Sequence, residues 1–187
     1  MTSRYFLTNS EPNVRFPPIA DVGRSCHRQP MHEVEASTRW AQQRDYALLG
    51  EIMFDAVRRG PSAYTEAQRA AWVPSPREGL AWNERLAAQD IILIEKLGEA
   101  VGFMSLADGG YVDFAYLRPA ARGQGFFRLM LQRLEDRARE RGTRCLWSHV
   151  SLNAEPAFTA LGFAVRKREV LSIGSERLAR CEMAKLL

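Results

Sequence analysis

The stretch that decides the fold reads YVDFAYLRPAARGQGFF, from Tyr111 to Phe127. Its first seven residues predict a β-strand, and Arg118 ends that strand because a residue before proline is held extended. Two glycines follow, and apolar residues then recur at helical spacing from Phe127 to Ala138, as far as Gly142. The pattern predicts a strand, a glycine-containing loop and an amphipathic helix.

This loop has the chemistry of an anion site. Gly123 and Gly125 allow the backbone to approach a ligand closely, and the helix that starts there directs unpaired N–H groups and its positive dipole end at an anion. A pyrophosphate is the natural ligand. The same residues also suit an ordinary tight turn at the start of a helix, so the loop alone leaves both interpretations open.

The rest of the chain predicts a mixed α/β order. Thr65 and Gln68 have the spacing of a capping box at the start of a helix. Predicted helices cover Tyr46 to Val57, Thr65 to Trp72, Trp82 to Ala88 and Ala154 to Leu161. Predicted strands cover Val34 to Trp40, Ile91 to Glu95, Ala100 to Ala107, Cys145 to Val150, Phe163 to Ile173 and Leu178 to Lys185.

Residues 1–30 are rich in proline and lack any helical or strand period, so we expect a disordered extension before a single domain, residues 31–187. The string NVRFPPIADV, from Asn13 to Val22, resembles peptide translated from repetitive bacterial DNA. Met31 is therefore a candidate for the natural start.

Composition narrows the function classes. The 187 residues hold no apolar run of the ~20 residues that a membrane span requires, which argues against a membrane protein. Three scattered cysteines fit a reducing cytoplasm, and they form no cluster with histidine that predicts a metal. The formal charge of +4 is spread over helix faces that mix both signs, so we expect no nucleic-acid partner.

Two motifs resemble those of the GNAT acetyltransferase superfamily. Arg122 to Phe127 resembles the family's acetyl-CoA loop, and the run from Ser151 to Phe158, followed by Leu161, Gly162 and Phe163, resembles its second signature. Upstream, the segment from Ala56 to Pro74 is similar to a bacterial branch of small-molecule acetyltransferases. The resemblance covers about residues 34–187.

The resemblance implies a GNAT fold: a mixed, mostly antiparallel seven-stranded sheet flanked by about four helices, with the fourth and fifth strands splayed apart for the cofactor. It also implies an enzyme that transfers acetyl from acetyl-CoA to a primary amine, with a small-molecule acceptor and a homodimer as an option. The implied cofactor contacts are Ala115, Tyr116, Leu117, Arg122, Gly123, Gln124, Gly125, Phe126, Phe127, Asn153 and Phe158.

Two residues depart from the family pattern. Phe127 stands where the loop motif ends in Gly or Ala, and its spacing favours a place on the apolar helix face over one that crowds the phosphates. Phe158 stands where many relatives carry a tyrosine that protonates the departing thiolate, and a phenyl ring cannot donate that proton. These departures leave a CoA-binding module without transferase activity, or transfer of a longer acyl group, as alternatives.

An amine that attacks a thioester must first lose a proton, so the site needs a base. Asp113 lies mid-strand on the same predicted face as Tyr111, Ala115 and Leu117, and is either that base or a structural carboxylate bonded to backbone or to an arginine. His149, on the next strand, is the other candidate because imidazoles titrate close to neutral pH. It also suits an ordinary strand histidine that faces solvent or packs on an aromatic ring.

Three aromatic residues, Tyr64, Trp72 and Trp82, fall where the family covers its acceptor site. They suit a pocket for an amine, by cation–π contact or by apolar burial. Each of them also suits ordinary core packing.

Overall fold

The helices and strands follow one another in the predicted order. The computed structural model describes residues 36–187, so the predicted extension over residues 1–30 and the domain start at Met31 lie outside it. The strands are β1 (Ala36–Trp40), β2 (Asp90–Lys96), β3 (Glu99–Ala107), β4 (Tyr111–Leu117), β5 (Cys145–Ser151), β6 (Ala164–Ile173) and β7 (Glu176–Leu186). The α-helices are α1 (Tyr46–Arg58), α2 (Glu66–Trp72), α3 (Leu80–Ala87), α4 (Phe126–Glu140) and α5 (Glu155–Ala160).

The seven strands form one sheet in the order β1-β2-β3-β4-β5-β7-β6. Neighbouring strands are antiparallel except β4 and β5, which run parallel and share a single register pair, Tyr111 with Trp147. Past that pair, β4 continues to Leu117 and β5 to Ser151 without further pairing between the two strands. The predicted splay between the fourth and fifth strands is therefore confirmed.

A β-bulge interrupts β4 just after its single pair with β5. Two residues of β4, Asp113 and Phe114, stand opposite one residue of β3, Ser105. The Phe114 amide donates to the Ser105 hydroxyl oxygen at 3.0 Å, and Ser105 is fully buried. The hydroxyl thus satisfies a backbone group that the extra residue would otherwise leave unpaired.

The bulge changes which side chains share a face of the sheet. Val112 and Ala115 pack with the core under α4, whereas Phe114 and Tyr116 pack with the core under α1 and α3. The prediction that Asp113 and Ala115 lie on one face is wrong, because one extra residue shifts the alternation of side chains by one position.

The loop after β4 is fastened to α1. Arg118 forms an ion pair with the buried Asp55 of α1, and Arg122 Nη2 donates to the Ala56 carbonyl oxygen at 2.7 Å. Helix α4 then starts after Gly125, whose φ of 82° lies in the left-handed region that favours glycine. The loop and the start of α4 are therefore held against the splayed edge of β4.

Helix α4 is the longest helix that the structure describes, with 15 residues. It packs its apolar face against the sheet and keeps its arginines and acidic residues largely on the solvent side. After the helix ends, Gly142 has a φ of 72°, as expected of a C-terminal helix stop. Over residues 36–187, no helix is both long and apolar enough to cross a membrane.

We expect Ser105→Ala to lower the free energy of unfolding by about 1–3 kcal/mol, because it leaves the Phe114 N–H buried without an acceptor. Urea unfolding measures the change, and Ser172→Ala, at an exposed position of β6, serves as the control. Equal stability of the two variants would show that the bulge does not depend on this hydroxyl.

Candidate functional site

A cavity of about 310 Å³ lies in the gap between the ends of β4 and β5. It extends from the loop before α4, at Arg122 and Gly123, to the residues that follow β5. Its walls come from α1, α2, β4, the loop and α5, and the lining residues include Ala56, Tyr64, Trp72, Ala115, Tyr116, Leu117, Phe127, Asn153 and Ala157. Of the predicted cofactor contacts, seven line this cavity: Ala115, Tyr116, Leu117, Arg122, Gly123, Phe127 and Asn153.

The start of α4 offers free backbone donors. Gly125 is the N-cap residue, no side-chain hydrogen bond from a described residue caps the helix, and the first amide bonded to Gly125 is that of Leu129, at 3.2 Å. The amides of the first turn therefore have no intrahelical acceptor. Gly123 and Gly125 both have positive φ values, and the space where a Cβ would stand is open at each. The backbone here suits an anion of phosphate size.

The polar side chains of the loop brace it. Gln124 accepts from Lys96 Nζ at 2.9 Å and donates to the Ala120 carbonyl oxygen at 2.7 Å, while Arg122 is bonded to α1. Gln124 is exposed and does not line the cavity. An anion would therefore meet mainly the backbone of this loop.

Two predicted contacts have side chains that lie behind the cavity wall. Phe126 is 2% exposed and Phe158 is 1% exposed, so both belong to the core. Phe158 packs edge-on against Phe127, with ring centroids 5.2 Å apart, and against Phe163 at 4.9 Å. The Phe158 ring therefore has a packing role, and its predicted contact with the cofactor stays a prediction. Phe127 packs on the core and also lines the cavity.

Tyr64 and Asn153 hold the α1–α2 connection against the end of β5. Tyr64 donates its hydroxyl to the Ala179 carbonyl oxygen at 2.6 Å and accepts from the Leu152 amide at 2.9 Å. Asn153 accepts from the Ala63 amide at 2.7 Å through Oδ1. Burial raises the pKa of Tyr64, so its hydroxyl stays protonated near neutral pH. Tyr64 thus lines the first cavity and not the second.

A second cavity, of about 380 Å³, adjoins the first. The two share Trp72 and Tyr116 as lining residues. The second cavity is lined mainly by aromatic and charged side chains: Met53, Trp72, Arg77, Glu78, Trp82, Arg85, Tyr111, Asp113, Phe114, Tyr116, His149 and Arg180. Both candidate bases, Asp113 and His149, therefore border this cavity.

Asp113 is fully engaged by hydrogen bonds. Arg85 of α3 donates Nε to Oδ2 at 2.9 Å and Nη2 to Oδ1 at 2.6 Å, and Gln89 Nε2 donates to Oδ2 at 2.8 Å. The Asp113 carboxylate in turn raises the pKa of Arg85. These contacts favour the structural alternative over the base. Sequence reasoning did not identify Arg85 or Gln89, because both precede Asp113 by more than 20 residues and no local pattern links them.

His149 has freer surroundings, with a side chain that is 25% exposed. Its Nδ1 lies 3.3 Å from the Tyr111 hydroxyl, and its Nε2 lies 3.5 Å from Glu169 Oε1. Sequence reasoning missed Glu169, since only the pairing of β5, β7 and β6 brings it near. Over residues 36–187, no group of three or more His, Cys, Asp or Glu side chains is placed to hold a metal ion.

The two tryptophans play different parts. Trp82 is 7% exposed, donates Nε1 to the Tyr46 carbonyl oxygen at 2.8 Å and packs against Phe114, which favours the core role. Trp72 is only partly buried and lies between the two cavities. Trp72 is therefore the better placed of the two to contact small molecules on both sides.

Residues 62–179 match the model of an acetyltransferase (GNAT) domain. The chain belongs to the GNAT family. The matched segment starts in the α1–α2 connection and ends in β7, so it includes most of the lining of both cavities. The protein is accordingly a transferase of the acetyltransferase class. No curated protein matches the chain.

Solved GNAT structures have the same fold. A GCN5-related N-acetyltransferase from Rhodopseudomonas palustris is 28% identical, with 81% of this chain and 95% of that chain covered and a TM-score of 0.76. The PaiA N-acetyltransferase of Thermoplasma acidophilum, in complex with coenzyme A, is 16% identical, with 81% and 99% covered and a TM-score of 0.62. A phosphinothricin acetyltransferase of Sinorhizobium meliloti, in complex with acetyl-CoA, is 19% identical, with 81% and 88% covered and a TM-score of 0.60.

We expect Gly125→Glu to weaken CoA binding by about 100-fold, or about 2.8 kcal/mol, because the new carboxylate would repel the diphosphate at the start of α4. Isothermal titration calorimetry with CoA measures the change. The matched control is Gly142→Glu at the other end of α4, which has a similar φ and equally open space. Wild-type affinity in Gly125→Glu would reject the loop as the phosphate site.

Proposed function

We propose that this GNAT protein transfers the acetyl group of acetyl-CoA to the primary amine of a small molecule by direct attack. The observation that carries the proposal is the junction of the two cavities at Trp72 and Tyr116. One cavity ends at a loop suited to a diphosphate, and the other is lined by aromatic and ionisable groups. The complexes of the Thermoplasma and Sinorhizobium enzymes with CoA and acetyl-CoA support this choice of cosubstrate.

Backbone groups would hold the cofactor. Beyond the pair of Tyr111 with Trp147, β4 has no partner strand on its β5 side, so the stretch from Ala115 to Leu117 has backbone groups available for an extended ligand. Amides of the loop from Arg122 to Phe127 would surround the diphosphate. Acetyl-CoA supplies an activated acyl thioester there, and a backbone N–H aimed at its carbonyl oxygen favours attack.

The acceptor would enter the second cavity. Its aromatic walls suit an amine with an apolar body, and Trp72, at the boundary with the cofactor cavity, would contact it near the reacting carbon. Trp82 would shape the wall from the core side. Tyr64 lies behind Trp72, with ring centroids 6.0 Å apart, and would position that ring.

His149 is our first choice of base. The Asp113 carboxylate already accepts three hydrogen bonds from Arg85 and Gln89, whereas the imidazole of His149 borders the cavity with a much looser set of contacts. A neutral imidazole can accept the proton that the ammonium form of the acceptor must lose.

The alternatives from sequence have less support. Phe127 and Phe158, which suggested a CoA-binding module without turnover, contact each other and the core, so packing accounts for both. Transfer of a longer acyl group stays an alternative for the same cavity. The cytoplasmic location, the homodimer and the absence of nucleic-acid or membrane partners stay predictions from sequence.

The direct test is turnover. Purified protein and acetyl-CoA are incubated with a panel that includes 2-phenylethylamine, spermidine and free amino acids, and release of free thiol is measured. We expect amine-dependent thiol release with at least one panel member, and none in Gly125→Glu. Binding of CoA without turnover of any amine would favour the non-catalytic module.

Paired variants test the choice of base. We expect His149→Gln to lower kcat/KM by about 100-fold and to remove the fall in rate at acid pH, because no imidazole is left to be protonated. Asp113→Asn should keep the shape of the wild-type pH profile, although it should lower stability by leaving Arg85 without its carboxylate. The reverse result, a flat profile in Asp113→Asn alone, would assign the base to Asp113.

A further inference from the structure

Three side chains, from β4, β5 and β6, form a line of polar contacts beside the second cavity, although β7 lies between β5 and β6 in the sheet. Tyr111 of β4, His149 of β5 and Glu169 of β6 are joined by distances of 3.3 Å, from the Tyr111 hydroxyl to Nδ1, and 3.5 Å, from Nε2 to Glu169 Oε1. Tyr111 and His149 line the cavity, whereas Glu169 does not. These polar contacts therefore run from the proposed acceptor site towards β6, at the edge of the sheet.

The sheet fixes this arrangement. Tyr111 is the β4 residue paired with Trp147. The Trp147 ring packs against the Tyr111 ring, with centroids 4.4 Å apart, and against the His149 ring, with centroids 5.6 Å apart. Glu169 is paired in register with Arg180 of β7, whose Nε donates to its Oε1 at 2.6 Å. Trp147 thus holds Tyr111 in place, and Arg180 holds Glu169 in place.

We propose that Tyr111, His149 and Glu169 form a proton relay in which the Tyr111 hydroxyl contacts the acceptor amine, His149 receives the proton and Glu169 orients the imidazole. This inference rests on the proposed acetyl transfer to an amine. Tyr111 is a catalytic residue in this scheme, and Glu169 is a positioning residue.

The scheme specifies one tautomer of His149. If Nε2 carries the hydrogen, it lies next to the Glu169 carboxylate at an ion-pair distance of 3.5 Å, and Nδ1 is free to accept from the Tyr111 hydroxyl. Burial and, to a smaller extent, the Asp113 carboxylate raise the pKa of Tyr111, so its phenol keeps the hydrogen that it must donate. The Arg180 guanidinium holds the pKa of the Glu169 carboxyl below its ordinary value, so Glu169 stays an acceptor.

The proton transfers balance. The ammonium gives one proton to the Tyr111 oxygen while the Tyr111 hydrogen passes to Nδ1, which leaves a neutral amine, a neutral phenol and an imidazolium next to the Glu169 carboxylate. The amine lone pair then forms the C–N bond as the C–S bond breaks, and the second proton on nitrogen goes to the departing sulfur. The imidazolium returns its proton to solvent.

Other ionisable groups surround His149 and enter any pH profile. From β4, β6, β7 and α3 these groups are Tyr111, Asp113, Lys167, Glu169, Arg180, Glu182 and Arg85. Asp113 and Arg85 neutralise each other, and Arg180 binds Glu169. Glu182 is directly opposite His149 in register, so its carboxylate is the neighbour whose influence must be separated from that of Glu169.

The first test needs no acceptor. In the ¹⁵N spectrum of the wild-type protein near pH 8, we expect His149 to carry its hydrogen on Nε2, with the signal identified by its absence in His149→Gln. A hydrogen on Nδ1 would overturn the relay, because Tyr111 could then only accept from the imidazole.

The second test uses the panel amine with the highest turnover. We expect Tyr111→Phe to lower kcat/KM by about 100-fold, with Tyr46→Phe as the matched control. Glu169→Gln should lower kcat/KM about tenfold at pH 7 and should lose the preference for the hydrogen on Nε2 in the ¹⁵N spectrum, because the imidazole loses the carboxylate that orients it. Glu182→Gln should lower kcat/KM less and keep the hydrogen on Nε2.

The control for Glu169 is Glu95→Gln, which removes a carboxylate from a similar ion pair with arginine. Arg39 Nε lies 2.7 Å from Glu95 Oε1. The Glu95 side chain is 21% exposed and the Glu169 side chain is 24% exposed. If the wild type turns over an amine and kcat/KM is unchanged in Tyr111→Phe and Glu169→Gln, the relay is overturned and the proposed acetyl transfer is not. Absence of turnover with every amine would overturn both.

Discussion

The separation of β4 from β5 is the constraint on which the site depends. Two adjacent parallel strands that share only the pair of Tyr111 with Trp147 leave backbone N–H and C=O groups of β4 without a partner strand. Such groups are costly to bury unless a ligand or water meets them. The fold tolerates the gap because α1 and the loop after β4 are fastened to each other by Arg118 and Arg122, and because Tyr64 and Asn153 hold the far side.

The bulge at Asp113 and Phe114 determines which side chains of β4 line each cavity. It turns Ala115 and Leu117 towards the core under α4, whereas Tyr111 and Asp113 line the second cavity and Tyr116 lines both cavities. In the proposed reaction, the end of this strand would meet the cofactor and its start would meet the acceptor. A regular strand would have placed Asp113 on the same face as Ala115, away from the second cavity.

The order and type of the elements could be predicted because each depends on local pattern. Tyr111 to Leu117 is a strand with the predicted bounds, and Thr65 with Gln68 forms the predicted capping box. What could not be predicted depends on pairing between distant residues. The bulge appears only in the register of β4 against β3, and the partners of Asp113 and His149 come from α3 and β6. Similarly, the burial of Phe158 depends on α5 packing beside α4, which its own sequence context does not encode.

Phe127 and Phe158 are best understood together. Each departs from the family pattern. Their ring centroids lie 5.2 Å apart, so Phe158 of α5 fills the space beside Phe127 of α4. This exchange also removes a phenol from α5 as a proton donor. A thiol has an ordinary pKa of about 8.5, so a thiolate is a tolerable leaving group near neutral pH and can take its proton from the attacking nitrogen or from water. In the proposed reaction, the demand for acid–base chemistry then falls on the amine, next to the second cavity that Tyr111 and His149 line.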